Sequence, residues 1–280
     1  PVPPKKDLPR ISGSEAGIRS FMAAGGETIF GYPGGAIIPV YDALYDYRDR
    51  LNHILVRHEQ CAIHAAQGYA RATGRTGVCI VTSGPGATNT VTGLADAMLD
   101  STPIVLISGQ VASSTLGTDA FQEINFIEIT NSVTKWNCQV KRAEDIPEAI
   151  ARAFYIASSG RPGPVVVDIT KDAQNGLVDF EYKPMKFIRS YQPYAEIDND
   201  QILEAARLVN LSRKPMALIG QGVILGGAEQ ELKEFLEKSG IPAKPAPDGV
   251  WYAIERLKVE RDECVYVGDS EVDVLTAKNS

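Results

Sequence analysis

Along the first 175 residues the apolar positions fall into two recurring patterns. Short runs are unbroken: "ETIFGYP" (27–33), "NHILVRH" (52–58), "GVCIVTS" (77–83), "PIVLISG" (103–109) and "RPGPVVVDIT" (161–170). Between them, in 12–26, 37–47, 55–75, 88–101 and 143–160, apolar residues recur at three- and four-residue spacing. Unbroken runs of five to eight residues predict strands buried on both faces, and the longer periodic stretches predict helices. Ser12 or Ser14 is a capping candidate for the first helix, Gly25-Gly26 stops it, and Gly160 ends the last. "GPGA" (84–87) reads as a loop. Strand and helix in regular alternation predict an α/β fold, a parallel sheet with helices on both faces.

That rhythm stops at 177. Residues 177–195, "LVDFEYKPMKFIRSYQPYA", hold two prolines and several tyrosines and read as a linker. A second α/β unit is expected after it: a helix over 198–212, a strand over "PMALIGQGV" (215–223) and a helix over 228–240. The expected division is therefore one domain over 10–176, a linker over 177–195, the start of a second, truncated domain over 196–243, and a tail of different character over 244–280.

Composition narrows the classes. With 280 residues and 44% hydrophobic content, a sizeable core can form. The net charge is −7 and the basic residues are scattered, which argues against a nucleic-acid partner. No apolar run approaches a membrane span. "PVPPKKDLPR" has no apolar signal core and no initiator Met, so a cytoplasmic location and a processed or truncated start are expected. Cys61, Cys79, Cys138 and Cys264 show no CxxC spacing and read as reduced, buried thiols. His53, His58 and His64 lack zinc-ligand spacing.

Glu59 stands out. It shares a helix face with Ala62, Ile63 and Ala66, so a carboxyl points to the side expected to be buried. In open parallel sheets ligands gather outside the carboxyl ends of the strands. The loops predicted at that edge are "GYPGGA" (31–36), "RHEQ" (57–60), "SGPGATN" (83–89) and "SGQVASSTLGTDAFQE" (108–123). Gly and Pro there let a flat ligand approach the backbone. Burial disfavours the charged form of a carboxyl, which suits it to exchange a proton with a ring nitrogen. The alternative for Glu59 is a pair with Arg57 or a capping role at the helix start.

The motifs "YPGGA", "RHEQ…HAAQGYARATGR", "TSGPGATN", "GTDAFQE", "TKW" and "SGRPGPVVVDITKD" together resemble the catalytic subunit of acetohydroxyacid (acetolactate) synthase over about residues 10–242. The resemblance implies thiamine diphosphate, Mg²⁺ and a non-redox FAD as cofactors, and pyruvate and 2-ketobutyrate as substrates of branched-chain amino acid biosynthesis. It also implies a homodimer with the cofactor between subunits, and a regulatory subunit. Glu59 matches the catalytic glutamate that hydrogen-bonds the aminopyrimidine N1′ and so promotes deprotonation of the thiazolium carbon, which attacks pyruvate. Pro33, Gly34, Pro85 and Asn89 match positions packing the pyrimidine half. Phe121 and Gln122 match a pair near the reacting carbon, and Lys171 a lysine at the substrate-channel mouth. Arg161, with Gly220 and Gly222, matches the flavin contacts. Ala62, Ala65, Ala66 and Gly68 would let the Glu59 helix pack closely at or near the dimer interface.

The resemblance has a gap: the family's Gly-Asp-Gly…Asn motif, which binds Mg²⁺ and the diphosphate, does not occur. Weak binding of the intact cofactor and little acetolactate formation by these residues alone are therefore expected. Residues 244–280 instead resemble the C-terminal part of a haloacid-dehalogenase-like phosphatase, with Lys244 as its phosphate-neutralising lysine and Asp269 and Asp273 as its Mg²⁺-binding acids. The matching Asp-x-Asp-x-Thr nucleophile motif is missing. A non-enzymatic dimerising module and another thiamine-diphosphate 2-keto acid enzyme are the alternative readings.

Overall fold

A computed structural model describes residues 8–241. The chain divides into two compact units, with the break after Ala195.

In the first unit, β1 (Arg10–Ser12), α1 (Gly13–Ala23), β2 (Thr28–Tyr32), α2 (Ile38–Tyr45), β3 (Asn52–Leu55), α3 (Glu59–Thr73) and β4 (Gly77–Val81) follow in order. Then come α4 (Pro85–Thr88), α5 (Val91–Leu99), β5 (Ile104–Gln110), α6 (Phe126–Thr130) and β6 (Trp136–Val140). The unit closes with α7 (Ile146–Ser158), β7 (Pro164–Thr170), α8 (Lys171–Asn175) and β8 (Leu177–Asp179). Six strands form one sheet in the order β3-β2-β4-β5-β7-β6, and every pairing in it is parallel.

Successive residues of each strand face opposite ways, and both faces of the central strands are covered, whereas the edge strand β3, expected to be buried on both faces, is largely exposed at Ile54 and Leu55. Ile29, Val78, Ile80, Val105, Ile107, Val165 and Val167 pack with Ile18 and Phe21 of α1, Val40 of α2 and Ile150 of α7. Phe30, Cys79, Val81, Leu106 and Val166 pack on the other side with Ala62, Ile63 and Ala66 of α3, Leu94 of α5 and Phe126 of α6. β4, β5 and β7 are buried along their whole length, as their unbroken apolar runs predict. Ser12 is the cap of α1, accepting from the Glu15 N–H at 3.1 Å.

Four features differ from the sequence expectation. "GPGA" is not only a loop: Pro85 opens the single-turn helix α4. β6 is an added strand, half-buried at the sheet edge, where pairing with β7 supplies what its polar sequence does not announce. β1 and β8 form a small antiparallel ladder, so the stretch read as a linker begins as a strand. That stretch is also fastened further on. Lys135 Nζ donates to the carbonyls of Ile156 and Ser159 and to Tyr191 Oη, the last two at 2.8 and 2.9 Å.

The second unit contains α9 (Asn199–Leu211), capped by Asp198, then α10 (Gly222–Leu225) and α11 (Glu229–Ser239). The strand expected over 215–223 does not form among the described residues. Within that stretch only Ala217 takes part in a β-bridge.

Candidate functional site

Chain order reverses between β2 and β4. From β2 the chain steps outward to β3, then returns to the other side of β2 as β4. Connections leaving such a point run in opposite directions and open a crevice beyond the carboxyl ends of the two strands. Pro33 and Gly34 follow β2, and Thr82, Ser83 and Gly84 follow β4.

Glu59 is the first residue of α3 and is 8% exposed. The preceding residue, His58, caps the helix: its Nδ1 accepts from the Gln60 N–H at 3.1 Å. Glu59 is thus neither the cap nor paired with Arg57; its partner is Asn89, whose Nδ2 donates to Glu59 Oε2 at 2.9 Å. The Cys79 thiol is pushed up by burial and, secondarily, by this carboxylate.

Three glycines keep the crevice open. A Cβ on Gly34 would lie 2.5 Å from Thr82 Cγ2, and one on Gly86 would lie 2.6 Å from the same atom and 3.3 Å from Glu59 Oε1. A Cβ on Gly84 would lie 2.8 Å from the Gln122 carbonyl. The backbone at Gly84 has φ 58 and ψ −123, which glycine alone adopts freely. Thr82 Oγ1 accepts from the Ala36 N–H at 3.2 Å, joining the two loops. Beside it the Ser83 hydroxyl is buried and has no hydrogen-bond partner among the described residues. A buried polar atom left unpaired is costly, and such atoms mark places where a ligand or water completes the set.

The structure thus brings Glu59, Asn89, Gly34 and Gln122 to one crevice, with exposed Pro33 and Pro85 on its flanking loops. Phe121 is 88% exposed, and Lys171 stands exposed at the end of β7. Arg161 is not with them. It precedes β7, at the amino edge of the sheet, and donates to Ser101 Oγ at 2.8 Å and to the Leu99 carbonyl at 3.1 Å. Gly220 and Gly222 belong to the second unit, where a Cβ on either would meet nothing within 4 Å. Lys244, Asp269 and Asp273 lie outside the described residues. Thr82, Ser83 and Gly86 were not singled out from sequence, although "TSGPGATN" contains all three. Among the described residues no group of three or more His, Cys, Asp or Glu could hold a metal ion. No described helix is long and apolar enough to cross a membrane.

Residues 11–129 match the family model of the N-terminal thiamine-pyrophosphate-binding domain of thiamine pyrophosphate enzymes. Residues 142–280 match that of haloacid dehalogenase-like hydrolases, a match that takes in β7, which is paired on both sides in the sheet. The chain is 51% identical over 235 residues to an acetolactate synthase of Mycobacterium bovis, covering 84% of this chain and 38% of the relative. It is 52% identical over 233 residues to the acetolactate synthase large subunit of Corynebacterium glutamicum, covering 83% and 37%. It is 46% identical over 234 residues to the isozyme 3 large subunit of Escherichia coli, covering 83% and 41%. The chain therefore spans about two fifths of the length of the curated relatives it matches.

Proposed function

We propose that the first unit holds the aminopyrimidine half of thiamine diphosphate, and that the chain serves an acetolactate synthase joining pyruvate to a second 2-keto acid. The observation that supports this most directly is Glu59: a buried carboxyl at the chain-reversal crevice, with one oxygen held by Asn89 and the other facing the space that Gly86 leaves open. The chemistry of the crevice suits a flat, nitrogen-bearing ring. Glycines allow close approach from two sides, and the buried Ser83 hydroxyl, without a partner among the described residues, has a hydrogen bond to offer.

When bound, thiamine diphosphate supplies an acidic carbon that adds to a keto group. The chain's own contribution begins with Glu59, which holds and returns a proton at the ring nitrogen through Oε1. Asn89 fixes the rotamer of that carboxyl by occupying Oε2. Gln122, placed against Gly84, orients the keto acid, and exposed Lys171 attracts its carboxylate. The residue match alone carries FAD, because the Arg161 guanidinium is committed to Ser101 and to the carbonyls ending α5. Mg²⁺ has no ligand cluster among the described residues. The domain boundaries at 176, 195 and 243, a homodimer through the α3 side, 2-ketobutyrate as second substrate and a regulatory partner belong to the same reading.

Calorimetric titration with thiamine diphosphate and Mg²⁺ tests it. Glu59→Gln keeps an acceptor for Asn89 but cannot exchange a proton with the ring. We expect measurable binding by the native chain and at least tenfold weaker binding by the variant. Equal binding by both would remove Glu59 from the site.

A further inference from the structure

Asp168, on β7, is fully buried. Three donors meet its carboxylate: Ser108 Oγ at 2.7 Å on Oδ1, with Gln110 Nε2 at 3.1 Å and Gln139 Nε2 at 3.0 Å on Oδ2. No cation accompanies them among the described residues. Facing donors only, the carboxyl acts as an acceptor. An isolated buried charge is expensive, so the cluster calls for a role.

Gln110 suggests the role. It is fully buried, and its carboxamide is spent entirely. Nε2 donates to Asp168 and, at 2.9 Å, to the carbonyl of Ile124; Oε1 accepts from the Val111 N–H at 2.9 Å. Val111 begins the loop after β5, and Ile124 ends it. One amide group therefore staples both ends of a loop whose interior carries Phe121 and Gln122. Turned by half a rotation about its last bond, the same amide would set Oε1 against the carboxylate and release both ends. Asp168 forbids that rotation.

Between those two ends the loop is tied internally. Glu123 accepts from the N–H groups of Gly117, Thr118 and Ala120. Asp172 anchors its first turn, taking the Ser113 N–H at 2.9 Å and the Ser113 hydroxyl. Gln122 sits at φ 61, a conformation a non-glycine residue keeps only where its surroundings impose it.

We infer that Asp168 is a positioning residue: by fixing the orientation of the Gln110 carboxamide, it sets both ends of the 111–124 loop and so where Gln122 stands against the Gly84 turn. The functional weight of this rests on the proposed role of Gln122 at the cofactor crevice; the positioning itself does not.

Residue-resolved hydrogen exchange on the full chain tests it without any cofactor. The reporters are the amides of Thr115, Gly117, Thr118, Ala120 and Glu123, all hydrogen-bonded within the loop. Asp168→Ala removes the acceptor that the Gln110 and Gln139 amides share. We expect these amides to exchange at least tenfold faster, with the amides of β4 and β2 changed less than twofold. Ser108→Ala removes a donor from the same carboxylate without touching the loop, and should leave the reporters within twofold of the native chain. Gln110→Ala should reproduce the Asp168→Ala pattern, and it replaces that variant if Asp168→Ala does not fold. Unchanged loop exchange in Asp168→Ala or Gln110→Ala, or equal acceleration in Ser108→Ala or across the sheet, would overturn the inference. Loosening of the loop with thiamine diphosphate affinity unchanged would uphold the positioning and leave Gln122 a role toward the keto acid alone.

Discussion

Gly84 is where the backbone and the site constrain each other most tightly, and Gly84→Ala measures the constraint. Two costs add. An L-residue at φ 58 and ψ −123 is held in a region nearly reserved for glycine, at about 1–3 kcal/mol. The new Cβ would also stand 2.8 Å from the Gln122 carbonyl and 2.9 Å from Gln122 Cβ. Neither atom is the free end of a flexible chain, so the loop must retreat, at an overpacking cost of about 1–3 kcal/mol. The expected loss is about 2–6 kcal/mol, read as a lower urea midpoint at unchanged slope. Gly35→Ala is the control: the next loop but one, no positive φ, and nothing within 4 Å of its Cβ. It should melt within about 0.5 kcal/mol of the native chain. If the two variants melt together, the Gly84 turn is neither strained nor pressed against Gln122.

Three further outcomes are expected. Burial pushes the Asp168 carboxyl up to about 6, against the lowering by Gln139, Ser108 and Gln110. The folded form therefore holds this proton more tightly than the unfolded form. Its contribution is largest below about 4 and is lost as pH rises through about 6, a swing of about 3 kcal/mol at most. Asp168→Asn should flatten that part of a stability–pH profile, and an unchanged profile would contradict the assignment. Lys135→Met takes the ammonium donor from the Ile156 carbonyl, and from the Ser159 carbonyl and Tyr191 hydroxyl, which keep only their bonds to each other's residue. It should cost about 1–3 kcal/mol and speed tryptic cutting at Lys186 and Arg189 severalfold; equal cutting rates would count against the clasp. Among the described cysteines, exposed Cys61 should react with a thiol reagent in the native state. Cys79, pushed up by burial, and Cys138, pushed up to about 12 by burial first, should react only on unfolding.

The sheet was legible because its central strands are buried on both faces, so β4, β5 and β7 appear as unbroken apolar runs. β6 was not, since an edge strand need bury only part of its surface and "WNCQV" mixes polar with apolar residues. α4 is a single turn, too short to show a period. The strand expected over 215–223 shows the opposite error: an apolar run states a preference, and pairing decides. At the site, the position of Glu59 could be read from its helix face. Its partner could not, because Asn89 lies thirty residues away and only the reversal of strand order brings them together. His58 as cap was equally hidden, since histidine seldom fills that place.

The short β1–β8 ladder fixes more than two segments of chain. Arg10 lies opposite Asp179, and the Phe180 N–H reaches the Pro9 carbonyl at 2.9 Å, so the first and last strands of this unit share one doorway. A body with a single doorway is portable. Its ends could be sealed to each other and new ones cut in the exposed turn at 48–50 without breaking a strand of the large sheet. Tension on the chain beyond 195 would meet the Lys135–Tyr191 clasp and then three pairs of residues before it reached β7. Whatever sequence is spliced on at that doorway, the crevice around Glu59 is assembled wholly from residues inside it.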